Sequence, residues 1–195
     1  MSKQELIIKS ITKASVGIPI LVLIILLISG FDGLYGQDSY EYMRYANSFR
    51  AYLLGGDFPG DVVWPKAYLI ALALFSFVLN TALAGQIISM LSIYATYYFL
   101  NKTIEELYGK QKDTQISLIL GLLLSPYVLR ISVVVMADTF AMLSLVGAAY
   151  YLIRYQKTDQ FKNLAFCVLI GFLGVFSRYA VIVAVAPIYL SLIHI

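Results

Sequence analysis

The sequence predicts an all-α protein: a polytopic transmembrane helix bundle in which an outer loop carrying interfacial helices joins the first two spans. Three observations carry that prediction. Hydrophobic residues make up 61% of the 195-residue chain and charged residues only 13%, about half the roughly 25% charged share of soluble domains. Mean hydropathy is +0.82 and is concentrated in long apolar runs. Backbone groups in hydrocarbon must be satisfied within their own segment, so such runs have to be helices. No stretch alternates apolar and polar residues as an outer-membrane barrel would require.

The net charge of +3 comes from scattered bases. No basic face is interleaved with aromatics, which argues against a nucleic-acid partner. The single cysteine, Cys167, lies in an apolar run; it permits no internal disulfide and reads as a packing residue. No Cys/His cluster of metal-binding type is present.

The elements follow in chain order. The basic start MSKQELIIKSITK leads into an apolar run that is long and lacks an A-x-A cleavage site, which predicts a retained first span over about 14–31. Residues 38–54, DSYEYMRYANSFRAYLL, predict a helix lying on the membrane. At a 3.6-residue period Asp38, Tyr42, Tyr45, Phe49 and Tyr52 share one side, and tyrosine suits the headgroup layer. GGDFPGD (55–61) ends that helix. Asp38 at its start reads as an N-cap with Glu41 completing a capping box, or as a carboxylate available for chemistry. Glu41 and Arg44 read as a surface pair.

The run 66–80, KAYLIALALFSFVLN, is short for a span and predicts an interfacial or re-entrant helix, with Pro65 at its start and Trp64 as an interfacial aromatic. Further spans are expected at about 83–100, 115–134, 138–153, 163–178 and 180–195. Several are short and need snorkelling flanks or a thinned bilayer. The loops 101–114 and 154–162 read as solvated connections. Gln86, near the outer end of a span, is placed for an interhelical hydrogen bond.

Charge sets the orientation. If 66–80 does not cross, Lys3, Lys9, Lys13, Lys102, Lys110, Lys112, Arg154, Lys157 and Lys162 lie inside, against Arg44, Arg50, Lys66, Arg130 and Arg178 outside, nine to five. If it does cross, the ratio inverts. The positive-inside rule selects the first arrangement, with a cytoplasmic N-terminus in a cell (inner or plasma) membrane. Asp38, Glu41, Lys66, Arg130, Asp138 and Arg178 then gather at one outer surface, as an extracytoplasmic active site would need. The last six residues, LSLIHI, match one reading frame of a transposase adapter used in sequencing libraries. The expected organisation is a truncated N-terminal membrane module of about six spans over 1–189, with an outer loop over 32–82, followed by a scar at 190–195, with no role for His194.

Five short motifs, in order, resemble those of the GT-C glycosyltransferases, in the branch of the protein mannosyltransferases and aminoarabinose transferases. They are Asp38 with Tyr40; Trp64-Pro65-Lys66-Ala67-Tyr68; Ser125-Pro126; Ala137-Asp138-Thr139; and Ser177-Arg178-Tyr179. Gln37 stands where many members carry the first acid of a pair, and Lys66 replaces a proline. The resemblance implies transfer of a sugar from a polyprenyl-phosphate carrier to a hydroxyl of a lipid, glycan or protein acceptor at the bilayer surface, with inversion. Asp38 would be the base. Lys66, Arg130, Asp138, Arg178 and Tyr42 would contact substrate, the cations stabilising the leaving phosphate. No protein metal ligands are assigned, no cofactor is certain, and a divalent cation is one option. Asp138 reads first as an N-cap, and otherwise as a partner for Arg130 or Arg178 or as a second acid near the acceptor; both arginines could reach headgroups instead. A transporter or flippase of lipid-linked sugars and a non-catalytic scaffold are the alternative readings.

Overall fold

The structure, a computed structural model, describes residues 17–60, 63–109, 114, 116–118, 121 and 125–193. Those residues form helices joined by turns, with no strand among them. The helices are α1 (Gly17–Ile28), α2 (Gly36–Leu53), α3 (Lys66–Phe75), α4 (Thr81–Tyr108), α5 (Pro126–Ser132), α6 (Asp138–Thr158), α7 (Phe161–Ser177), a 3-10 turn (Tyr179–Val181) and α8 (Ile182–Ile193). Among the described residues, α4 alone is long and apolar enough to cross a membrane, with a mean hydropathy of 1.3. At 28 residues it runs about 42 Å. The helices α1, α3 and α7, and the stretch Tyr179–Leu190, are apolar but shorter.

α4 and α6 pack side by side, and α7 returns along α6 through a tight turn at Asp159–Gln160. Asn163 braces that turn by donating to the Thr158 hydroxyl at 2.8 Å. Small residues allow the α6–α7 approach: a Cβ on Gly174 would lie 2.9 Å from Ser144 Cβ, and one on Gly147 would lie 3.2 Å from Ile170. Close contact through small residues is a common way for apolar helices to pack when the hydrophobic effect does not separate inside from outside. Cys167 is fully buried in this layer, as a packing residue should be.

α2 and α3 lie together over one end of this layer. Tyr42, Ala46, Tyr68, Leu72, Ala84 and Val135 form the main buried cluster between them, α4 and the 133–137 segment. Two polar ties fix the far side. Arg50 Nη1 donates to the Ser76 carbonyl at 2.8 Å, capping the end of α3, and Thr81 Oγ1 donates to Asn47 Oδ1 at 2.6 Å. The C-terminal end of α3 and the start of α4 are therefore tied to α2, Trp64 just before α3 packs on Tyr42 of α2 with ring centres 5.5 Å apart, and a 10-residue helix spans only about 15 Å.

Two expectations change. The segment 115–134 is not continuous: a break at Ser125 starts a new helix with Pro126 in its first turn, and that helix ends at Ser132. Proline lacks the N–H that would continue a helix and drives the preceding residue to extended backbone, as the ψ of 120° at Ser125 records. Much of 110–124 lies outside the described residues, as do the basic N-terminus and His194. The second change is at α2, which begins two residues earlier than expected, at Gly36.

Candidate functional site

The site is built on the turn entering α2. Asp32 Oδ1 accepts from the Leu34 N–H at 3.0 Å, and the Gly33 carbonyl accepts from the Val135 N–H at 2.9 Å. Gly33 has a φ of +82°, and a Cβ there would come within 2.6 Å of Gln86. The Gln86 amide donates to the Val133 carbonyl at 3.1 Å, and the Ser89 hydroxyl to Val134 at 2.7 Å. Glycine is thus required twice over, for the left-handed backbone and for the space. Loop 31–35, α4 and loop 133–137 are locked together, and α2 leaves from that lock.

Neither capping reading holds. The N-cap is Tyr35, Asp38 is the third helical residue, and no side chain caps the helix. Ser39 makes the local bonds, accepting from the Tyr35 N–H at 3.1 Å and donating to the Tyr35 carbonyl at 3.0 Å. Glu41 accepts from Arg44 at 2.6 and 3.1 Å instead of closing a capping box. The Asp38 carboxylate makes no hydrogen bond or ion pair with any described residue, and it borders an open cleft of about 330 Å³. It also lies in the first turn of α2, where the helix dipole favours negative charge.

The other walls of the cleft are Tyr42, Val63, Trp64, Pro65, Arg178, Tyr179 and Ala180. Tyr42 is buried, with its ring 5.5 Å from Trp64 and edge-on to Tyr68 at 5.0 Å. Burial pushes the Tyr42 phenol up to about 12; the Asp38 charge adds to the rise and the Arg178 charge partly opposes it. The phenol is therefore a protonated hydrogen-bond donor at neutral pH. Behind it Tyr68 is fully buried, its hydroxyl has no hydrogen-bond partner, and burial raises its pKa as well. Ser89 acts on that phenol in the opposite direction, but its proton goes to Val134.

Arg178 follows α7 in extended backbone, φ −156° and ψ 115°, before the 3-10 turn. Its Nη1 is ion-paired with Asp138, the first residue of α6. The side chain of Asp138 is 21% exposed and that of Arg178 46%. The N-cap of α6 is Ala137, so Asp138 does not cap.

Of the sequence-derived candidates, Asp38, Tyr42 and Arg178 meet in the cleft, and Asp138 stands behind Arg178. Lys66 and Arg130 lie elsewhere at the same end. Lys66 lines a separate apolar cavity of about 180 Å³ between α2 and α3, with Tyr45, Phe49, Phe58 and Leu69. The Arg130 guanidinium lies 4.9 Å from the Tyr35 ring centre and 5.5 Å from that of Tyr127, beside α1. Val63, Trp64, Pro65, Tyr179 and Ala180 are wall residues absent from the sequence-derived candidates, although Trp64, Pro65 and Tyr179 stand inside the motifs.

Among the described residues, the cleft offers a divalent cation one carboxylate, with a guanidinium opposite. Among the described residues no three His, Cys, Asp or Glu side chains gather to hold a metal. That donor set suits a divalent cation poorly, because such sites rely on several oxygen ligands.

No protein-family model matches the chain, and no curated protein or solved structure gives a significant match.

Proposed function

We propose that this chain is the catalytic membrane module of an inverting glycosyltransferase that takes its sugar from a polyprenyl phosphate on the extracytoplasmic face. One observation carries the reading. Asp38, Trp64 and Arg178, far apart in sequence, wall a single open cleft together with the protonated Tyr42 phenol.

The chemistry follows from those groups. The acceptor hydroxyl is a weak nucleophile near neutral pH. Asp38 removes its proton as the oxygen attacks the anomeric carbon, a contribution of about 10²–10⁴-fold. The bond from that carbon to the carrier phosphate breaks, and its electron pair passes to the phosphate oxygen. The Arg178 guanidinium, and a hydrogen bond from Tyr42, stabilise the growing negative charge. Single displacement inverts the anomeric centre. Lys66 and Arg130, at the same end but outside the cleft, supply further cations for anionic headgroups.

The reading includes a multi-pass arrangement in the cell membrane with a cytoplasmic N-terminus. Its support is the outward surface. Ile28 on α1, Phe172 on α7 and Val183 on α8 are among many large apolar side chains that remain exposed, far more than a water-facing surface tolerates. The 17 residues of α7 reach about 26 Å, enough for a slightly thinned bilayer.

The test is a transfer assay with a polyprenyl-phosphate sugar, comparing wild type with Asp38→Asn after membrane insertion is confirmed. Loss of about 10²–10⁴-fold is expected. Unchanged turnover would remove Asp38 from the mechanism. A flippase, by contrast, would move the lipid-linked sugar across vesicles without forming a new glycosidic bond.

A further inference from the structure

Among the described residues that wall the cleft, the one cation is Arg178, and it is already paired with a carboxylate outside the cleft wall. We propose that Asp138 is a positioning residue: it grips one edge of the Arg178 guanidinium and presents the remaining N–H groups to a phosphate in the cleft. The inference rests on the transferase reading above and adds a role for Asp138 that involves no contact with substrate.

Three observations support it. Arg178 sits in extended backbone between α7 and the 3-10 turn, so no regular helix sets the direction of a long, flexible side chain. Asp138, in contrast, is well anchored. It is the first residue of α6, three residues after Val135, which is tied to Gly33 and packed against α4. The ion pair engages Nη1 of Arg178. A guanidinium carries five N–H donors in a rigid fork, so Nε and the far amine stay available for two parallel bonds to phosphate. The positive charge still reaches the cleft, since it lowers the Tyr42 phenol against the effect of burial.

The sign of one measurement decides the matter. If Asp138 positions the fork, removing its charge weakens phosphate binding. If Asp138 merely neutralises Arg178, removing its charge strengthens it. Trp64 is the only tryptophan in the chain and lines the cleft, so its fluorescence reports occupancy directly. The full chain in lipid nanodiscs is titrated with farnesyl phosphate, inorganic phosphate and farnesol. The expected result is a roughly tenfold rise in the apparent Kd for farnesyl phosphate in Asp138→Asn. Asp138→Glu recovers most of it, inorganic phosphate shows the same trend, and farnesol is unaffected by either change. Arg178→Lys keeps a cation for Asp138 but lacks the second edge, and must lose as much. Unchanged or tighter binding in Asp138→Asn overturns the proposal, as does full binding in Arg178→Lys should Asp138→Asn fail to fold. No response of the wild type to farnesyl phosphate is a different result: it sinks the transferase reading itself.

Discussion

Tyr42 stands between a carboxylate and a guanidinium with its ring closed in by Trp64 and Tyr68, and its proton is the property that matters. With the phenol held up to about 12, it keeps donating across the whole physiological range. Tyr42→Phe removes the donor and leaves the ring, so transfer should fall by roughly ten- to hundredfold while the fold survives; a transfer assay paired with a melting curve checks both halves. A linkage effect follows as well. The unfolded phenol ionises near 10 and the folded one near 12. The unfolded state therefore loses its proton first, and stability is constant below about 10 and declines as pH rises toward about 12. Melting temperatures across that window should fall more steeply for wild type than for Tyr42→Phe. At this scale the sequence was partly legible. Charged residues at the ends of apolar runs stand out, so Asp38 and Arg178 could be picked as candidates. The partner of Asp138 could not be chosen, because Arg130 and Arg178 look alike in sequence. The choice is made by α5, which starts at Pro126 and leaves Arg130 against Tyr35 and Tyr127.

The elements hold the cleft through a few close approaches. Gly33 and Gly36 both have positive φ, +82° and +71°, but only Gly33 faces Gln86; a Cβ on Gly36 meets nothing within 4 Å. Gly36→Ala should cost about 1 kcal/mol for the backbone alone. Gly33→Ala should cost about 3 kcal/mol, adding collision with a side chain already bonded to Val133. Thermal unfolding of the two variants separates the terms, and equal losses would mean that the Gln86 contact is unimportant. The α6–α7 seam offers a second case. Gly174→Leu must push Ser144 away and spread the two helices whose ends carry Asp138 and Arg178, so the variant should bind phosphate more weakly even where it still inserts. Helix existence was readable from apolar runs, and the starts of α3, α4 and α6 fall within two residues of expectation. The break before α5 was not read, although Ser125-Pro126 signals it, because the surrounding apolar run masks the proline. The local bonding of Ser39 was hidden for a related reason: an acid near a helix start looks like a cap until the N-cap is seen to be Tyr35, three residues earlier.

For the molecule as a whole, the two ends of the bundle carry different chemistry. One end holds the Asp38 cleft, the Asp138–Arg178 pair and the polar lock at Gly33 and Val135. At the other, Glu106 lies 3.6 Å from Arg154 and 4.0 Å from Lys157, and Arg154 donates to the Tyr150 hydroxyl at 3.1 Å. That division matches the charge asymmetry read from the sequence only if the segment 66–80 stays at the cleft end. The bonds from Arg50 to Ser76 and from Thr81 to Asn47 are the local reason it would do so. Sequence periodicity alone could not decide this, because a fourteen-residue apolar run suits an interfacial and a buried helix equally. The most direct measurement is cysteine labelling in intact cells with a membrane-impermeant maleimide, using Phe58→Cys in the loop after α2 and Tyr108→Cys at the end of α4. Cys167 is fully buried and gives little background. Phe58→Cys should label and Tyr108→Cys should be protected until the membrane is opened. Labelling of Tyr108→Cys in intact cells would mean that 66–80 threads the bilayer, and the proposed extracytoplasmic site would be lost with it.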